Sequence, residues 1–485
     1  WKGLVGSEMC IRDSGGTLID GSGDDRFQAD IGIVDDTIKE IGCLSGANGG
    51  KVIDATNRIV APGFIDVHTH DDRILLAKPS MDMKVSQGVT SVVVGNCGIS
   101  LAPLVADDPP PPLDLIAEPG ECRFATFSDF LGAFDNGPAA VNAAFLVGHS
   151  TLRVGVMDSL DRAASSTEIK KMRALLEEGL GSGAIGFSTG LFYKPASQAP
   201  TEEVIEIALA LKNHKAKYVT HMRDEGDHVI RSLEETFQIG REASSPVIVS
   251  HHKVHGRQNF GRSKETLACF EKHMAGHHHG IAFDVYPYIA SSTVLKNDSI
   301  QVAERVLITW SKARPELAGR ELSDIAEELN CDIYEAESQL QPAGAIYFAM
   351  SEEDVQRILQ HPNAMIGSDG LPHDEHPHPR LWGTFPRVLG HYCRDLKLFP
   401  LEEAVRRMTG YSAETFGLSK RGMLKENFFA DITIFDEDTI LDAADFECPT
   451  KPAKGIDCVL VNGRAVWANG EATGNRPGRA LRHGG

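Results

Sequence analysis

The chain has 485 residues, long enough for one large domain and a smaller one, and at 42% hydrophobic it argues against global disorder. A formal net charge of −20 argues against nucleic acid or an anionic membrane as the main partner, and means that an anionic substrate needs a locally positive pocket. Nine scattered cysteines suggest no disulfide framework and point to a reducing cytoplasm. No apolar run reaches about 18 residues and no secretory signal is visible, so a membrane span and export are not expected.

Residues 1–14 are read as a non-native leader, a translated cloning or sequencing adaptor, because a clear pattern begins only at Gly15-Gly16-Thr17. A genuine frayed terminus is the alternative. Residues 15–61 carry short apolar segments between turns, at 17–19, 31–34, 37–41 and 52–53. The same texture returns in residues 420–485, at 431–435, 458–463 and 465–467. Together these ends predict one small β-sandwich domain built from both termini. Residues 62–419 alternate strand and helix. Eight strands are expected at 64–68, 91–97, 142–148, 184–188, 218–221, 246–251, 281–286 and 364–368. Helices are expected between them, for example at 167–180, 201–214, 228–243 and 263–274, with Thr167 and Thr201 opening good N-terminal signals. This is the pattern of an α/β protein, a (β/α)8 TIM barrel. A doubly wound open sheet is the alternative, but no Gly-rich phosphate loop follows the first strand. Prolines 109–112 read as a stiff surface loop. An oversized segment, about 291–350, reads as a helical insertion between strands 7 and 8, with Ser323 as an N-cap, placed as lid or substrate wall.

The strand ends carry the chemistry. The first gives His68 and His70, which project together because strand residues two apart share a side. The second gives Cys97, the fifth His221, the sixth His251 with His252 and Lys253, and the eighth Asp369. Barrel enzymes keep their active sites on this rim. Each residue alone has a plain structural explanation, since a lone cysteine is a common core residue and Asp before Gly a common turn. Five coincident strand ends are a poor match to chance.

On the stretches 62–70, 95–100, 189–197, 220–226, 250–256, 284–293 and 366–370, the sequence resembles the amidohydrolase superfamily, and within it the N-acyl-D-amino-acid deacylases (D-aminoacylases). Many superfamily members bridge two metals with a carboxylated lysine at the end of strand four. Here that end reads Phe187-Ser188-Thr189-Gly190, and Cys97 looks like the thiolate substitute. The resemblance implies one tight Zn2+ site at Cys97, His221 and His251, and a second, weaker site at His68, His70 and Asp369. A thiolate with two imidazoles suits zinc. It implies Asp369 as general base, then general acid, and also as a ligand. It implies that Arg380, Tyr193 and either Ser291 or Ser292, with Ser292 favoured, grip the substrate carboxylate, with Lys253 as a further substrate contact. Arg223 is divided between function and structure. Histidines 252, 255 and 277–279 are expected at the surface or behind the ligands. Lys296, early in the insertion, either meets an acidic side chain or is exposed. The implied reaction is hydrolysis of small-molecule N-acyl-D-amino acids. The competing readings are a hydantoinase- or dihydroorotase-type cyclic-amide hydrolase, disfavoured by the missing lysine, and a catalytically dead scaffold, disfavoured by the intact ligand set. Side-chain preference, acyl group and oligomeric state are not set by the sequence.

Overall fold

The computed structural model describes residues 10–44, 50–276 and 279–483. Its centre is a barrel of eight parallel strands: β1 (Phe64–Asp66), β2 (Val89–Val94), β3 (Asn142–Gly148), β4 (Gly186–Gly190), β5 (Lys217–His221), β6 (Val247–Val249), β7 (Ile281–Val285) and β8 (Ala364–Ile366). They are hydrogen-bonded in chain order. The gap between β1 and β8 is spanned just past the strands, where Thr69 bridges Gly370 and the Asp369 amide donates to His68 O at 2.8 Å. All eight strands are those expected, but most stop short of the rim residues. The chain leaves β2 at Gly95, whose φ is +80°, and a Cβ there would lie 2.2 Å from Leu146 O.

The inner core draws on seven of the strands and on Ile185 just ahead of β4, with Ile65, Val93, Leu146, Ile185, Val219, Ile248, Ala282 and Met365 in one cluster. Ala413 and Phe416 of the helix Gly410–Phe416, with Leu418, complete it. The termini form two sheets that share a second core, including Ile31 and Ile33 from one and Val60, Ile432 and Leu460 from the other. Cys10–Ser14 lies in the smaller sheet, between Asp30–Val34 and Lys51–Asp54. Residues 1–9 of the expected leader, and His277 and His278, lie outside the described residues.

Three local expectations need correction. The helix expected over 201–214 is two, Thr201–Ala208 and Leu211–His214, because Ala210 N bonds to Ile207 O, a tighter turn. Ser323 is not a cap: the helix Leu322–Leu329 starts one residue earlier, after Glu321, and has no side-chain cap. The insertion is not simply helical. It is built on a three-stranded antiparallel sheet, with Ala343–Phe348 between Ala290–Val294 and Arg305–Ser311, and its helices pack on that sheet through Ile325, Ala336 and Leu340. The run Val306-Leu307-Ile308-Thr309-Trp310 is rich in β-formers, the signal that the length of the insertion masked. The proline run is also less exposed than expected, since Pro109 and Pro112 are buried.

Candidate active site

Past the strand ends the backbone turns sharply, and the turning residues carry the chemistry. Cys97, His251 and Asp369 have φ of +52°, +36° and +50°. Left-handed backbone costs a non-glycine residue about 1 kcal/mol or more and is retained where surrounding structure imposes it. Here it aims all three side chains at one point. Cys97 Sγ lies 3.3 Å from His68 Nε2 and 3.4 Å from His251 Nε2, and His251 Nε2 lies 3.0 Å from His221 Nδ1. Asp369 Oδ1 is 3.2 Å from His70 Nε2 and 3.4 Å from His68 Nε2. Donor atoms of His68, Cys97, His251 and Asp369 all lie within 4.8 Å of one another. The two expected ligand sets therefore form one continuous cluster, with Cys97 between His68 and His251.

The cluster is braced from behind. Asp284, in β7, takes the His251 amide at 2.8 Å through Oδ1 and faces His68 Nδ1 at 3.3 Å through Oδ2. Ser188, in β4, accepts from Gly98 N at 3.0 Å and donates to Gly95 O, clamping the loop that carries Cys97. Buried Lys84 joins Asp66 at 2.8 Å and Ser368 at 2.9 Å, tying β1 to the residues after β8.

Above the cluster opens a cavity of about 330 Å³, whose lining includes Tyr193, His221, Ser292, Lys253, Lys296 and Asp369. Tyr193 Oη meets Thr293 Oγ1 at 3.2 Å. Among the described residues, Ser292 Oγ is buried with no hydrogen-bond partner. Arg380 is fully buried as the first residue of the helix Arg380–Arg387. Its Nη1 lies 2.8 Å from Asp369 Oδ2, its Nη2 donates to Ser292 O at 3.2 Å, and its plane faces Tyr286. It is thus no solvated loop charge. Lys253 Nζ is held by Glu225 at 2.8 Å and by His251 Nδ1 at 2.6 Å. Arg223 is an anchoring residue, bound to Glu235 and to two carbonyls. His252 is buried against Thr266 Oγ1, behind the ligands.

A family profile described as "Amidohydrolase family" matches residues 51–310 and 323–467. The chain belongs to the amidohydrolase family. It is 57% identical over 468 residues to a D-aminoacylase of Alcaligenes xylosoxydans xylosoxydans, covering 96% of each chain. It is 50% identical to an N-acyl-D-aspartate deacylase of the same organism, covering 97% of this chain and 94% of the other. Among solved structures it is similar, with a TM-score of 0.95 and 43% identity, to the N-acyl-D-glutamate deacylase of Bordetella bronchiseptica complexed with zinc and a phosphonate inhibitor that mimics the tetrahedral intermediate, covering 98% of this chain and all of that one.

The donor set of this amidohydrolase fits zinc. Tetrahedral zinc with Zn–N of about 2.0 Å and Zn–S of about 2.3 Å sets its ligand atoms roughly 3.3–3.6 Å apart, close to the spacing around Cys97. Burial alone would raise the Cys97 pKa, but His68 and His251 outweigh it and hold the thiol well below its usual range, in the thiolate form that binds metal. Burial lowers the pKa of His221, which favours the neutral imidazole, and among the described residues its Nε2 is buried with no hydrogen-bond partner. Burial would also raise the Asp369 pKa, but Arg380, His251 and His68 together hold it well below the carboxylate range.

Two residues escaped the sequence reading. Asp284 left a signal: it is the lone charge in the apolar strand Ile281–Val285. Glu225, which lies 3.0 Å from His251 Nδ1 and grips Lys253, sits in a polar loop where nothing sets it apart from any surface acid.

Proposed function

We propose that this chain is a zinc-dependent N-acyl-D-amino-acid deacylase, which hydrolyses the amide of a small-molecule N-acyl-D-amino acid to a carboxylate and a free D-amino acid. The observation that carries this reading is the convergence of Cys97, His68, His251 and Asp369 beside a cavity whose lining offers Tyr193 and Ser292. Cys97, His221 and His251 would hold the tight ion, and His68, His70 and Asp369 a second, weaker one. Bound zinc would lower the pKa of water from about 16 to about 7 and polarise a carbonyl. The chain's own residues do the rest. Asp369, kept ionised by its neighbours, takes the proton of the attacking water and passes it to the departing amine nitrogen. Arg380, with hydroxyls from Tyr193 and Ser292, receives the α-carboxylate, which its planar fork can meet with two parallel hydrogen bonds. Lys253 is held by Glu225 and His251, so it supports the substrate from the edge of the cavity.

The named relatives act on N-acyl-D-amino acids, which supports the stereochemistry. With the carboxylate at Arg380 and the scissile carbonyl at the metal cluster, only one enantiomer aims its side chain at the insertion. A cyclic-amide reading lacks support at β4, whose residues Gly186–Gly190 include no lysine. The reading includes a cytoplasmic location, supported by free thiols at Cys97, Cys122, Cys269, Cys331, Cys393 and Cys448. Among the described residues, no helix is long and apolar enough to cross a membrane.

The test couples metal analysis to amine release from N-acetyl-D- and N-acetyl-L-amino acids. We expect activity on D forms and little on L forms. Cys97→Ala should lose the tightly bound zinc and nearly all activity, while His68→Asn keeps most of that zinc. Full zinc and full turnover in Cys97→Ala, or equal rates on both enantiomers, would overturn the reading.

A further inference from the structure

The cations around the cavity can be followed one by one. Arg223 is 2.9 Å from Glu235, Lys253 is 2.8 Å from Glu225, and Arg380 is 2.8 Å from Asp369. Lys296 differs. Among the described residues no carboxylate stands within ion-pair distance of its ammonium, although it lines the same cavity. Asp298 and Glu225 act on it only from further off. Its Nζ lies 3.2 Å from the centroid of the Phe192 ring, and that ring stacks on His221 with centroids 5.2 Å apart. The ammonium therefore stands one ring layer beyond His221.

Its position is built. The Lys296 amide donates to Tyr347 Oη at 3.0 Å, and Tyr347 is fully buried in the central strand of the insertion. Leu295 beside it is buried in the insertion core. The same placement covers the face of Phe192 that an apolar side chain would otherwise use. Burial pushes the Lys296 pKa down to about 8, the mark of a cation deprived of water. An incoming anion would restore what the ammonium lost. An apolar side chain would desolvate it further.

We propose that Lys296 determines side-chain specificity, and that the site takes N-acyl-D-amino acids bearing a side-chain carboxylate, the D-aspartate and D-glutamate class. This rests on the deacylase reading above and refines it. It also departs from what the 57% identity to a D-aminoacylase would suggest by itself.

The test uses pairs of equal shape and different charge. The zinc-loaded enzyme and its Lys296→Met and Lys296→Arg variants are assayed on N-acetyl-D-glutamate against N-acetyl-D-glutamine, and on N-acetyl-D-aspartate against N-acetyl-D-asparagine. Binding of free D-glutamate and D-glutamine is measured calorimetrically on the same three proteins. In the parent, kcat/KM for at least one acid should exceed that of its amide at least tenfold. The ratio should fall toward one in Lys296→Met and be largely kept in Lys296→Arg, with zinc content equal in all three. A parent that prefers the amides, or a ratio that survives Lys296→Met, overturns the proposal. An equal loss on acids and amides would also overturn it, since Lys296 would then serve the shared part of the substrate. If no N-acyl-D-amino acid is turned over, the deacylase reading fails, and the calorimetric ratio still decides what Lys296 recognises.

Discussion

Asp369 is held by two kinds of neighbour at once: histidines on Oδ1 and the guanidinium of Arg380 on Oδ2. Asp369→Asn keeps the shape and removes the base. Turnover should fall by at least about 10²-fold, the low end for general acid–base work, while folding and the tight zinc persist. A loss under tenfold would assign the proton to another group. Arg380 has a different signature. Arg380→Lys keeps the charge and loses the planar fork, so KM for N-acetyl-D-amino acids should rise strongly with zinc content unchanged. An unchanged KM would show the carboxylate lies elsewhere. Asp369 was legible because charge at the end of an apolar strand is costly unless it is used. Arg380 was legible only by resemblance: the sequence around it reads as loop, and its burial comes from a helix whose Phe385 stacks on Phe64 of β1 at 5.8 Å. Nothing local announces a contact across that separation.

At the scale of elements, Glu203 ties three segments that the sequence reading left unconnected. It belongs to the helix Thr201–Ala208, pairs with buried Arg153 of the helix His149–Val156, and accepts from Ala164 N at 2.8 Å, just ahead of the helix Ser166–Ser182. Burial alone would raise its pKa, but His149, the Ala164 amide and Arg153 bring it down to about 2. A carboxylate depressed on folding adds stability that is full above its unfolded pKa, about 4.5, and fades as the pH falls toward its folded value. Glu203→Gln should therefore cost stability at pH 7, on the order of 2–3 kcal/mol. The gap to the parent should shrink steadily between pH 5 and pH 3. Urea unfolding at several pH values checks this, and a gap that stays constant with pH would deny the linkage. The fold at this level was largely readable, since eight strands alternating with amphipathic helices leave few architectures. The insertion was misread as helical because sheet pairing between its distant strands Ala290–Val294 and Ala343–Phe348 is invisible to a local pattern.

The whole molecule separates what holds the barrel from what acts at its rim. The inner core takes residues from seven strands and from Ile185 beside the eighth, and is completed by Ala413, Phe416 and Leu418, which reach it from a chain segment following the last barrel strand. The cluster of Cys97, His221, His251 and Asp369 stands instead at the C-terminal strand ends, where loops vary without disturbing the packed interior. Stability and activity should then be separable by mutation. Phe416 is 1% exposed and packed into the inner core, and Phe416→Ala leaves a cavity there. Such a deletion costs about 3–5 kcal/mol. The variant should unfold at markedly lower urea yet bind zinc with full stoichiometry and turn over at the parental kcat per folded molecule at low temperature. If kcat or zinc content falls while the protein is still folded, the core and the rim are coupled, and the backbone turns at Cys97, His251 and Asp369 are the place where that coupling would act: their left-handed conformations depend on β2, β6 and β8 being held in place by the packing that Phe416 completes.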